Sequence, residues 1–141
     1  MYNSSGLIPA RFLILVAHFI ICVTLLWNKE ESVSACLMGQ MHLELEKIHG
    51  SYLTQWVTGL SLMITFLCIE MLAFVLGLTM FDSNSALLSV TGHATSSIFL
   101  TGLILNGWQC DWFWMIFSFG SVLPFAYDTI ISMGILIGRK Y

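Results

Sequence analysis

Residues 52–80 read YLTQWVTGLSLMITFLCIEMLAFVLGLTM, an apolar run interrupted by one charge, Glu70. At a helical rise of 1.5 Å per residue such a run outspans the roughly 30 Å hydrocarbon layer of a bilayer. Working outward, three more runs of this kind appear, at about Leu7–Trp27, Ala86–Leu105 and Trp112–Gly138. The breaks at 81–85 and 106–111 carry Asp82-Ser83-Asn84-Ser85 and Asn106-Gly107, which is turn chemistry. Connections this short make neighbouring helices antiparallel. The stretch from Asn28 to Ser51 holds Lys29, Lys47, Glu30, Glu31, Glu44 and Glu46 and is too hydrophilic to enter lipid. The expected fold is therefore an all-α membrane protein. It is one domain over residues 1–141, a four-transmembrane-helix antiparallel bundle with one polar luminal or extracellular loop at 28–51.

Composition leads to the same class. The chain has 141 residues, 57% apolar and 9% charged, with a mean hydropathy of +0.86. A soluble domain carries about a quarter charged residues to keep its surface hydrated. Four spans consume nearly all the residues, leaving no room for a sizeable aqueous domain. Five Lys and Arg against eight acids give a net charge of -3, and scattered cations in that number cannot displace the counterions of a nucleic acid. A rival reading makes the first run a signal peptide cleaved after Val33-Ser34-Ala35, before Cys36. The polar stretch between Trp27 and Cys36 is too wide for a usual cleavage region, so the span is expected to be retained.

Orientation rests on the cations. Arg11, Arg139 and Lys140 fall on the side of the termini, and Lys29 and Lys47 in the long loop. The positive-inside bias puts both termini in the cytosol. Arg11, close to a span end, is expected to snorkel to the headgroups. Trp27, Tyr52, Trp56, Trp108, Trp112 and Trp114 gather toward the loop side as one interfacial belt. The Asn3-Ser4-Ser5 sequon should stay unmodified on a cytosolic terminus. Cys22 and Cys68 lie within spans, whereas Cys36 and Cys110 lie in two loops of one face. Cys36 with Cys110 is thus the sensible disulfide, with two reduced thiols as the alternative.

Each span carries one titratable polar residue well inside it: His18, Glu70, His93 and Asp128. All four fall in one slab on the side of the termini. A charge facing lipid costs roughly 2.5 to 3.5 kcal/mol, so these groups should turn inward and meet one another. Small neighbours agree with this: Ala73 and Gly77 share a face with Glu70, and Ser89, Ser96 and Ser97 share one with His93. Ser121, Pro124 and Ser132 do the same beside Asp128. The third span is richest in small residues and is placed at the centre. Such a cluster could hold a haem, a di-metal centre or a proton. However, the Glu-x-x-His of di-iron bundles is missing, as are H-E-x-x-H, G-x-S-x-G and a Walker loop. The plainer reading is a structural pair in which Glu70 or Asp128 bonds a histidine. No catalytic residue, metal, cofactor or small-molecule substrate is expected.

Pro124 removes a hydrogen bond to the Gly120 carbonyl and should kink the fourth span. Gly134 and Gly138 form a GxxxG suited to close helix packing, with this chain or another. Met41 to Glu46 alternates apolar and polar residues as a short strand or an amphipathic connector does, and His42 and His49 are expected to be solvated.

These pieces occur in an order that resembles a known family. The segment Ser5-Gly6-Leu7-Ile8-Pro9-Ala10-Arg11-Phe12-Leu13, Ala17-His18, Ala35-Cys36-Leu37, Glu70, Met80-Phe81, His93, Trp108-Gln109-Cys110 and Leu123-Pro124 looks like transmembrane protein 107, end to end. Two features depart from that pattern: Asp128 stands where the family has a glutamate, and residues 38–50 match poorly. The resemblance implies a non-enzymatic tetraspan scaffold of the ciliary transition zone. Its implied partners are the bilayer, tectonics and other tetraspan proteins of the Meckel-syndrome module, in a gate that sets ciliary membrane composition. The competing function is a small transporter or a redox or metal-binding subunit using the same cluster.

Overall fold

A computed structural model describes residues 6–37 and 45–138, and every regular element among them is a helix. The elements are α1 (Leu7–Trp27), α2 (Lys29–Leu37), α3 (Leu45–Val75), α4 (Ser83–Leu105), α5 (Trp112–Phe117), a π-helical segment (Ser118–Val122) and α6 (Leu123–Gly138). Four stretches are long and apolar enough to cross a membrane: Leu7–Trp27, Ile48–Val75, Ser83–Leu105 and Trp112–Gly138. Their outer faces expose Leu13, Ile20, Leu72, Ile98, Phe119 and Ile130 among other large apolar side chains. Exposure on that scale is an aggregation hazard in water and the normal condition in lipid.

Several boundaries differ from the sequence reading. The second span ends at Val75, not Met80, although Leu76, Leu78 and Met80 keep the sequence apolar. Gly77 stops it by adopting φ +79°. The Gly77 amide then donates to the Phe74 carbonyl at 3.0 Å and the Leu78 amide to Ala73 at 3.0 Å, a Schellman closure that a side chain at Gly77 would strain. Gly107, at φ +62°, closes α4 in the same way, with the Trp108 amide donating to Leu103. Gly77 is thus a helix terminator and not a packing residue beside Glu70. α4 begins at Ser83, three residues earlier than expected, because the Asp82 carboxylate accepts the Ser85 amide at 2.8 Å and caps the helix.

The polar stretch is more ordered than a loop. Residues 29–37 form α2, which buries Ser32, Val33, Cys36 and Leu37 against α3 and α4. α3 already starts at Leu45, so Leu45 and Glu46 are helical, and a strand is excluded there. Met41 to Glu44, His42 included, lies outside the described residues, as do the Asn3 sequon, Arg139 and Lys140. His49 is half-buried, 3.4 Å from the Ser34 hydroxyl and 3.9 Å from Glu30. Trp56 leaves the expected interfacial belt: it is buried, its ring 4.5 Å from Phe113.

α1 packs on both α3 and α4, and the fourth span packs on both as well. α3 and α4 therefore stand at opposite corners of a square, despite the short turn between them. The apolar core runs through Leu15, Cys22, Leu60, Met63, Leu67, Leu100, Leu103 and Phe113. At the fourth span, Pro124 cannot continue the α-helical ladder, and the preceding turn widens into the π segment. This brings Pro124 and Gly120 against α4. A Cβ on Gly92 would lie 2.8 Å from the Pro124 ring, and one on Gly120 would collide with Ser96.

Cys36 and Cys110 are disulfide-bonded, with Cα atoms 5.4 Å apart, tying α2 to the turn before α5. The bond closes a separation of 74 residues, and in the chain-entropy picture a loop of that size stabilises by about 3 to 5 kcal/mol. Replacing both cysteines by serine should therefore lower the midpoint of SDS-induced unfolding in detergent micelles. An unchanged midpoint would show that α2 docks without the bond.

Candidate functional site

The polar residues occupy the buried stripes of their helices. On α1 that stripe is Arg11, Leu15, His18 and Cys22; on α3 it continues from Met63 and Leu67 to Glu70 and Phe74; on α4 it includes Ser85, Ser89, His93, Ser96, Leu100 and Leu103. Helical spacing thus delivers polar groups from each of these helices to the same interior. His18 and His93 are fully buried, and Glu70 and Asp128 nearly so.

Glu70, His93 and His18 form a chain across three helices. His93 Nε2 lies 2.9 Å from Glu70 Oε2, and His93 Nδ1 lies 2.8 Å from His18 Nδ1. His18 Nε2 continues to the Ser96 hydroxyl at 3.4 Å, and Ser89 donates to Glu70 Oε2 at 3.4 Å. Because α3 and α4 face each other diagonally, Glu70 and His93 meet at the centre, with His18 entering from α1. Glu70 Oε1 has no protein partner.

Asp128 belongs to a second group. Its Oδ2 pairs with the Arg11 guanidinium and its Oδ1 accepts the Ser85 hydroxyl. Arg11 also donates to the Thr79 carbonyl at 3.0 Å and lies over the Phe74 ring, 5.5 Å from its centroid. Arg11 is 1% exposed, so it does not snorkel. The carboxylate on α6 and the carbonyl in the turn after α3 replace water around it. The sequence reading missed Arg11 because a basic residue near a span end is usually headgroup-bound; the signal that could have found it is the same stripe as His18, seven residues on. Ser85 was read as turn and is instead a ligand of Asp128.

Two grooves flank this interior. One, of about 220 Å³, lies between α3 and α6 and is lined by Glu70, Asp128, Ser132 and apolar neighbours as far as Leu78. The other, of about 580 Å³, lies between α4 and α5 with the π segment, from Thr95 and Ser96 to Trp108 and Trp112. Gly134 and Gly138 face neither groove, and nothing among the described residues would come within 4 Å of a Cβ at either. Among the described residues no three His, Cys, Asp or Glu side chains converge as a metal site.

A helical chain of four apolar spans with a buried acid on α3, a histidine on α4 and an acid on the last span can be set beside known proteins. The model of the TMEM107 family, described as a transmembrane protein, matches residues 7–132. The chain belongs to the TMEM107 family. Transmembrane protein 107 of Rattus norvegicus is 34% identical over 140 residues, covering 99% of this chain and 98% of the relative. That of Homo sapiens is 35% identical over 124 residues, covering 88% and 86%, and that of Danio rerio 31% over 136 residues, covering 96% of each. No solved structure matches. Family and helices together make this TMEM107 member an integral membrane protein.

The Arg11 contacts carry a stability cost that can be measured. Arg11→Ala would strand the Asp128 carboxylate, at roughly 2.5 to 3.5 kcal/mol by the lenient membrane scale. Arg11→Lys keeps the charge without the fork that reaches Asp128 and Thr79 together, so it should fall between wild type and Arg11→Ala in micelle unfolding. Equal stability of all three would show that Asp128 does not depend on Arg11.

Proposed function

We propose that this chain is a non-enzymatic scaffold of the ciliary transition zone, helping to assemble the gate that controls ciliary membrane composition. TMEM107 family membership supports the reading, and so does the way the chain spends its residues. Its described residues form helices and turns with no separate aqueous domain, and their helix faces and the α2 region are the surfaces they offer to partners. The observation that carries the reading is the unfilled face of α6: Gly134 and Gly138 leave room for a partner helix that no described residue of this chain occupies. Small residues at that spacing let two backbones approach closely within lipid.

In this reading the four spans run antiparallel as one domain with both termini in the cytosol. The α2 region lies on the luminal or extracellular face, where an oxidising environment maintains the Cys36–Cys110 bond. The partners are lipid and other transition-zone membrane proteins, tectonics and Meckel-syndrome-module tetraspan proteins among them. The two polar groups around Glu70 and Asp128 hold the helices in register so that the outer faces stay fixed.

In ciliated cells a tagged copy should concentrate at the ciliary base, and a Gly134→Leu, Gly138→Leu variant should keep its micelle unfolding midpoint while losing co-purification with tectonics. Even spreading of the wild type through the plasma membrane would overturn the scaffold reading. Undiminished capture by the glycine variant would move the contact to another face.

A further inference from the structure

We propose that Glu70, His93, His18 and Ser96 form a proton relay joining the α3–α6 groove to the α4–α5 groove. The relay is independent of the scaffold reading.

Continuity is the first support. Both imidazoles engage both ring nitrogens: His93 toward Glu70 at 2.9 Å and His18 at 2.8 Å, and His18 toward Ser96 at 3.4 Å. The short gap between the two Nδ1 atoms suits a shared proton and not a shared metal, because two nitrogens each about 2.0 to 2.1 Å from a tetrahedral zinc stand about 3.3 Å apart. A histidine bonded through both nitrogens can take a proton on one and release another from the opposite side. Ionisable residues inside a membrane are costly and commonly mark such paths.

The ends of the chain are the second support. Glu70 lines the α3–α6 groove, and there its Oε1 and the Ser132 hydroxyl both lack a protein partner. These two unpaired oxygens mark the end of the chain that faces this groove. That groove runs to Leu78, in the turn before α4. Ser96 lines the other groove, which runs to Trp108, in the turn after α4. The grooves therefore lead toward opposite ends of α4, and His93 and His18 bridge the middle, which neither groove reaches. Among the described residues, the remaining buried charged groups around this core, Arg11 of α1 and Asp128 of α6, are paired with each other. The nearby Cys22 thiol of α1 is turned to Met63 Sδ at 3.9 Å.

Transfer starts with Glu70 protonated on Oε2, His93 protonated on Nδ1 and His18 on Nε2. The Glu70 O–H bond breaks as His93 Nε2–H forms. The His93 Nδ1–H bond breaks as His18 Nδ1–H forms, and the His18 Nε2 proton passes to Ser96 Oγ, which releases its own hydroxyl proton to water in the α4–α5 groove. One proton has crossed, no electrons have changed hands, and Glu70 is left as a carboxylate with both imidazoles neutral in the opposite tautomers. Both imidazoles are fully buried and line neither groove, so their starting tautomers return when a proton passes back along the same chain from Ser96 to Glu70, and the relay is a reversible shuttle.

The test uses the full chain with 15N-labelled histidine in lipid nanodiscs, followed by NMR across pH. The relay requires His18 and His93 to exchange tautomers together over one pH range, and Glu70→Gln to abolish both changes. Fixed tautomers, or two histidines that ionise independently, would overturn it on the wild type alone, whatever the folding of the variant.

Discussion

Inside a hydrocarbon layer an ionised side chain has no solvent to turn to, and the arrangement of these helices follows from that. The chain commits an arginine, two acids and two histidines to its interior, all of them almost fully buried. Each is useful there only because another helix supplies its partner: α6 gives Asp128 to Arg11 of α1, and α3 gives Glu70 to His93 of α4, which in turn holds His18 of α1. α1 takes part in both groups. It sits between α3 and α4 for that reason as much as for its apolar contacts, and losing it would orphan charge on the other spans.

The small residues of α4 and the fourth span serve the same end. Pro124 breaks the regular ladder, the turn before it widens into a π segment, and Gly92 and Gly120 let that segment lie against α4. Close approach there sets Ser96 beside His18 on one side and the π segment on the other. Away from this contact, helix faces are lined with large side chains exposed to lipid. Polar order inside and apolar variety outside are what a protein needs if it is to keep one shape while its surface meets other membrane helices.

Much of this was legible in the sequence, and the remainder was hidden for identifiable reasons. Span number follows from run length and hydropathy, which need no knowledge of packing. Span ends were less legible, because Leu76, Leu78 and Met80 carry the apolar pattern past Gly77, and it is the backbone at Gly77 that stops the helix. α2 was hidden because its charged residues outweigh Val33, Leu37 and the disulfide-bonded Cys36, the apolar side chains among those that it buries. Composition could place His18, Glu70, His93 and Asp128 inside, but it could not pair them, since pairing depends on which helices stand diagonally. The short turn between α3 and α4 suggested neighbours, whereas their side chains meet across the centre. Arg11 was the costliest omission: position along the chain said headgroup, and the stripe it shares with Leu15, His18 and Cys22 said core.

Interdependence of buried groups on different helices is the central claim, and a double-mutant cycle measures it. Glu70→Gln, His93→Phe and the double variant would be unfolded reversibly in bicelles and compared with the wild type. Hydrogen bonds between membrane helices couple by about 0.6 kcal/mol on average and reach about 1.7 kcal/mol. For a fully buried carboxylate and imidazole 2.9 Å apart, coupling in the upper part of that range is expected, with the double variant less impaired than the sum of the single ones. Additive losses would contradict it and mean that each side chain finds its solvent elsewhere.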